Sequence, residues 1–255
     1  MKRLLAAVAL LTLAGCPEPN TPQPQPSPTT IQPVTQNNPQ SADERPTLGP
    51  PVPYKAPEVE TFTTAEGVTV WLLTRPSLPL VSLSLSIPTG SIDDPLGKAG
   101  LAHISAAMLD EGAGDRDAIE ISTGINDLGA SLYTRVGVDG TRVSLSVVKK
   151  HLDEAFDIFA DVVARPRFDA KEWKRVHELW LNELEERGDD PSSVAGVLRR
   201  AVLYGPDTPY GHPTSGYRDS AAAITLADAR SFYQDTWRPD RAQLVVAGAI
   251  TKAEV

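Results

Sequence analysis

The placement of proline is the feature that most limits what this chain folds into. More than half of its 23 prolines fall between Pro17 and Pro57. They are mixed with Gln, Thr, Ser and Asn, as in Pro22-Gln23-Pro24-Gln25-Pro26. Each proline fixes φ and removes a backbone donor. The stretch shows no apolar periodicity, so it has nothing with which to build a core, and it favours extended polyproline-like conformations. Residues 16–57 therefore read as a tether. The fold has to come from residues 58–255, enough chain for one substantial core.

What precedes the tether reads as an address. Met1-Lys2-Arg3 is a short basic start, and Leu4 to Leu13 is an apolar run too short to span a bilayer comfortably. Leu13-Ala14-Gly15-Cys16 follows. Together these resemble a bacterial lipoprotein signal over residues 1–15, cut before Cys16, which is then acylated. Several acyl chains on one residue give stable anchoring. Pro17 rather than Asp after the cysteine implies, by the usual sorting rule, a cell-envelope protein lipid-anchored in the outer membrane and facing the periplasm. Cys16 is the single cysteine, so no intramolecular disulfide forms. A net charge of −9 argues against nucleic acid as a partner, because neutralising phosphates needs a Lys/Arg surplus.

Within 58–255, Glu60–Thr64 and Val68–Arg75 predict a hairpin across Glu66-Gly67. Val81 to Ile87 alternates strictly, with Val81, Leu83, Leu85 and Ile87 on one face and serines on the other, which predicts a half-buried strand. Ser131–Val136 and Thr141–Val148 predict a second hairpin across Asp139-Gly140. Helices are expected over Asp115–Leu128, Leu152–Val163, Ala170–Arg187 and from the Asp189-Asp190-Pro191 start to Leu203. In the Ala170–Arg187 helix, Trp173, Val176, Leu179, Trp180 and Leu184 are expected inside. Thr225 reads as the N-cap of a helix over Leu226–Trp237, and Gln243–Ala247 as a last buried strand. The order predicts an α+β, two-layer domain: an antiparallel-dominated sheet with helices on one face.

One more helix matters most. Lys98 to Met108 reads as its start, with Leu101, Ile104, Met108 and Leu109 at helical spacing and His103 inside the apolar run. Here the chain resembles the inverzincin zinc peptidases, which include pitrilysin, insulin-degrading enzyme and the mitochondrial processing peptidase. Their helix carries G-L-A-H-x-x-E-H, with two His as zinc ligands and the Glu as general base. This chain matches through Gly100-Leu101-Ala102-His103, then holds Ala106 and Ala107 where the family has Glu and His. The lead-in matches too, at Gly90-Ser91, Asp94-Pro95, Gly97 and Ala99. So do the loop Tyr204–Gly216 and the closing run Arg238-Pro239-Asp240, apolar strand, Ala247-Gly248.

The resemblance implies a degenerate, non-catalytic member. Catalytic zinc needs three protein ligands and an open position for water, and a base to take the proton from that water. Alanine supplies neither. No catalytic residue and no cofactor is therefore expected, zinc belonging to active relatives. His103 and Glu183 stand as vestigial ligand candidates, Glu183 by its spacing from Ala107. Members usually contain two or more such domains around a substrate chamber, and active and inactive subunits pair. The implied partners are thus the membrane, through the Cys16 lipid, and an active peptidase subunit or second half-domain. Two other readings stay open: an active zinc metalloendopeptidase with unorthodox ligands His103, Glu183 and Glu111, and an envelope scaffold for peptides or proteins.

Overall fold

The computed structural model describes residues 49–255, apart from Val52 and Asp207. The expected signal segment 1–15, Cys16 and most of the 16–57 tether lie outside the described residues. From Lys55 to Val255 the chain forms one unit. Among the described residues no helix is long and apolar enough to cross a membrane.

Among the described residues six strands form one sheet. β1 (Glu60–Thr63) and β2 (Thr69–Thr74) make the first hairpin, β3 (Leu80–Ile87) is the alternating strand, and β4 (Ser131–Val136) with β5 (Thr141–Val148) makes the second hairpin. The last strand, β6 (Gln243–Gly248), enters the middle. The order is β1-β2-β6-β3-β5-β4. Only the β2–β6 pairing is parallel; the other four are antiparallel.

Alternation sorts the two faces. Val81, Leu83, Leu85 and Ile87 on β3 and Val143, Leu145 and Val147 on β5 are buried. On the other face Ser82 bonds Ser146 at 3.2 Å and Ser84 bonds Ser144 at 3.3 Å. A slip of one residue in this pairing would put hydroxyls in the core, so the pattern fixes the register Leu83↔Leu145. Trp71, Tyr133 and Val245 stand exposed in the same cross-sheet row as Ser84 and Ser144. The helices cover the apolar face alone, as the two-layer expectation has it.

The helices are α1 (Leu101–Ala107), α2 (Ala118–Asp127), α3 (Leu152–Ala164), α4 (Ala170–Asp189), α5 (Pro191–Tyr204), α6 (Arg218–Ala223) and α7 (Leu226–Thr236). Three differ from the sequence expectation, α1 because it starts at Leu101 rather than Lys98, behind Gly100 at its N-cap. The second helix begins at Ala118, not Asp115, because Asp117 and Glu120 bond reciprocally at 2.8 Å and close the N-terminus there. Helix α6 was not expected, being only six residues, Arg218 to Ala223, with no long apolar period. Thr225 caps α7 as expected, in a reciprocal pair with Asp228.

Helix α1 sits at the centre of the core. It lies against α7, β4 and α4, and Ile104, Met108 and Leu109 have no exposed surface. Burying each such side chain contributes about 1.5–3 kcal/mol. The helix is thus fixed by its apolar side, which determines where His103 points.

Candidate functional site

The entry to α1 is held by one carboxylate. Asp94 accepts from the backbone N–H of Gly100 and of Ala102, both at 2.7 Å. These are orphan donors of the first helical turn, and an acid there also meets the positive end of the helix. Burial nonetheless dominates and pushes the Asp94 carboxyl up to about 6, against the lowering pull of those two N–H groups and of nearby His212. Gly100 has φ 98°, which disfavours any side chain, and a Cβ there would lie 2.6 Å from the Trp180 ring. The glycine of Gly100-Leu101-Ala102-His103 is therefore required twice, by backbone angle and by the closeness of Trp180.

What faces His103 is aromatic. Its ring centroid lies 5.8 Å from that of Trp180 on α4. Trp180 is 3% exposed, and its indole N–H donates to the Ser215 carbonyl at 3.0 Å. His177, one turn earlier, meets Trp180 edge-on at 5.9 Å and stacks on Trp173 at 5.0 Å. Its Nε2 is 2.8 Å from the Ala221 carbonyl. The inward stripe of α4 is thus Trp173, His177, Trp180 and Leu184. Burial lowers the His103 pKa from its ordinary value, which keeps the imidazole neutral at pH 7.

Glu183 is exposed. It sits about a quarter-turn off the inward stripe, because α4 is rotated to bury Trp180 and Leu184. Glu111, the other proposed unorthodox ligand, is taken by the guanidinium of Arg175. Leu179, expected inside, is 51% exposed, and His177 holds the inward place. The inward place of His177 and the pairing of Trp180 with His103 were missed in sequence. The signal was present as Trp173, His177, Trp180 and Leu184 spaced four, three and four apart, a helical face that becomes visible once histidine is allowed as a packing residue.

The separated runs that carry the resemblance converge here. Gly216, from the Tyr204–Gly216 loop, lies so close to the α1 entry that a Cβ on it would be 2.0 Å from the Ala99 carbonyl oxygen. Arg187 on α4 donates to the Ser215 hydroxyl at 2.9 Å and to the Gly216 carbonyl at 2.8 Å. Ser220 on α6 donates to the Ala99 carbonyl at 2.7 Å. Loop, α4, α6 and α1 are pinned together around the Trp180 indole.

The donor set does not fit a catalytic zinc. Such a site needs three side-chain ligands. Around His103 stand Ala106, Ala107 and Trp180, none of which has a metal-binding atom. Among the described residues no three of His, Cys, Asp and Glu gather into a metal site.

Comparison with known proteins places this arrangement in a family. Residues 69–205 match the family described as Insulinase (Peptidase family M16). The chain belongs to the M16 family. Relatives include an uncharacterized zinc protease of Mycobacterium leprae, 29% identical over 71% of this chain and 40% of its own. Another is the uncharacterized zinc protease YmxG of Bacillus subtilis, 25% identical over 76% of this chain and 47% of its own. Among solved structures, one described as a peptidase M16 inactive domain from Pseudomonas fluorescens superposes with a TM-score of 0.73 at 29% identity. It covers 77% of this chain and 48% of the other. A protease from Helicobacter pylori, 20% identical, shares the fold with a TM-score of 0.71, covering 78% of this chain and 48% of its own. The chain spans about half, or less, of the length of these relatives. The two-layer α+β sheet described above is the M16 fold.

Proposed function

We propose that this chain is a non-catalytic M16 half, anchored to the cell envelope through an acylated Cys16, that completes the substrate chamber of an active zinc peptidase. The companion is a separate active subunit or a second half-domain. The observation that carries the reading is the Trp180 indole packed against His103, with Ala106 and Ala107 on the facing helix. A buried tryptophan occupies the space beside the one remaining histidine, and the base and second imidazole positions hold methyl groups. The domain around them keeps its fold, its helix entry and its closing loop. A chain kept for its shape would have that combination. The inactive-domain description of the Pseudomonas fluorescens neighbour supports the same reading. The outer membrane remains the proposed location, from Pro17 after the lipid-bearing cysteine.

The test is to isolate the acylated full-length protein from detergent-solubilised membranes and identify what accompanies it. A stoichiometric M16 companion with an intact H-x-x-E-H helix is the expected result. Zinc-dependent cleavage of unfolded peptides by the purified protein alone would overturn the non-catalytic assignment.

A further inference from the structure

A pair of arginines stands on the β4–β5 hairpin. Arg135 on β4 and Arg142 on β5 stand directly opposite each other in the hairpin register. Both are exposed, and opposed residues of an antiparallel pair share a face, here the one away from the helices. Like charges placed so repel each other. Among the described residues neither guanidinium has a carboxylate partner. The Arg142 Nε only reaches the Ser86 hydroxyl at 3.4 Å. The sheet register continues the row from Arg142 to Ser86 and from Ser86 to Gln243.

This row borders a cleft of about 470 Å³ between the β4–β5 turn and the start of β6. A third guanidinium, Arg241, donates to the carbonyl of Pro88 on the same rim at 3.3 Å. One carboxylate lines the cleft, Asp139, which accepts a hydrogen bond from the Tyr210 hydroxyl and keeps its charge. A chain with net charge −9 thus sets three guanidiniums against one lining carboxylate at this place.

The geometry points to an anion subsite in this cleft that takes the carboxylate of a peptide, either an acidic side chain or a free C-terminus. A guanidinium offers two parallel N–H groups, matched to the two oxygens of a carboxylate. Two such forks from adjacent strands converge on one anion and remove their own repulsion when it binds. Ser86 and Gln243 supply neutral hydrogen-bonding groups beside them. The proposal uses no metal at His103 and stands whether or not the M16 companion exists.

The experiment uses the full chain and two labelled tetrapeptides. One is acetyl-Gly-Gly-Glu-Glu with a free C-terminus; the other is acetyl-Gly-Gly-Gln-Gln-amide. Fluorescence anisotropy should show binding of the first and not the second. Arg135→Gln and Arg142→Gln should each weaken it by about tenfold, the scale of one charge-assisted hydrogen-bonded contact. Arg142→Lys should also weaken it, because the charge remains while the fork is lost. Thermal unfolding of the free variants confirms that these exposed changes leave the fold intact. Equal binding of the two peptides, or equal binding by wild type and the Arg135→Gln/Arg142→Gln variant, overturns the proposal. Inorganic phosphate is the remaining arm. If it binds in an arginine-dependent way and the acidic peptide does not, the carboxylate assignment is overturned.

Discussion

If Trp180 fills the place of a metal's third donor, exchanging it for a carboxylate should reopen that place. The perturbation is Trp180→Glu combined with Ala107→His, which supplies an imidazole one turn after His103. Trp180 is 3% exposed, so losing its packing costs about 3–5 kcal/mol. For a domain of this size each kcal/mol lowers the melting temperature by about 2–4 °C. The metal-free double variant should thus melt roughly 10 °C below wild type. Zinc at a hundredfold excess over its dissociation constant returns about 2.7 kcal/mol, a recovery of about 5–10 °C. Thermal unfolding by circular dichroism, with zinc or with a chelator, reads both numbers. Each single variant should show a much smaller zinc shift, and adding Glu183→Gln to the pair should leave the shift unchanged, because that side chain faces solvent. No zinc shift in a folded double variant, or its abolition by Glu183→Gln, would refute the placement of α4 against α1.

Further outcomes follow from the same region. The Asp94 carboxyl is raised from 3.8 to about 6, so between those values the folded state holds more protons than the unfolded. Stability from this group is full below about pH 4 and is lost as pH rises to 6, by roughly 3 kcal/mol at most. Urea unfolding of Asp94→Asn at pH 4.5, 5.5 and 7 should lack that decline. His103 has the opposite sign: its lowered pKa gives stability present above about 6.5 that is lost as pH falls, and His103→Gln should remove that acid sensitivity. Gly100→Ala forces a Cβ at φ 98° to within 2.6 Å of Trp180 and should cost about 2 kcal/mol or more in denaturant unfolding. Thr225→Ala removes the cap of α7 and should cost about 1 kcal/mol.

Much of the fold was legible because its signals are local. The serine alternation of β3 and β5, the Asp139-Gly140 turn and the Thr225 cap each act within a few residues, and each appears where the sequence puts it. The insertion of β6 between β2 and β3 was not legible, since no local pattern states which strand a buried run will join. The candidate site divided in the same way. His103 and the two alanines could be read from one motif. The direction of Glu183 could not, because spacing along the chain does not fix the rotation of α4. That rotation is decided by whichever residues bury best, and two tryptophans and a leucine outweigh a carboxylate.

The central position of β6 has a consequence for how the chain reaches its folded state. Without it the sheet falls into two pieces: β1 with β2, and β3 with β5 and β4, which share no ladder. Each piece pairs with near neighbours in sequence, β3 reaching β5 across one helical pair, and each can form early. Joining them waits for the strand that is made after the other five. Until then β2 and β3 both present open edges, the kind of surface that pairs with the wrong chain. The slow step of folding should accordingly be the docking of residues 243–248, and a chain cut before them should accumulate as an aggregating intermediate rather than as a smaller domain.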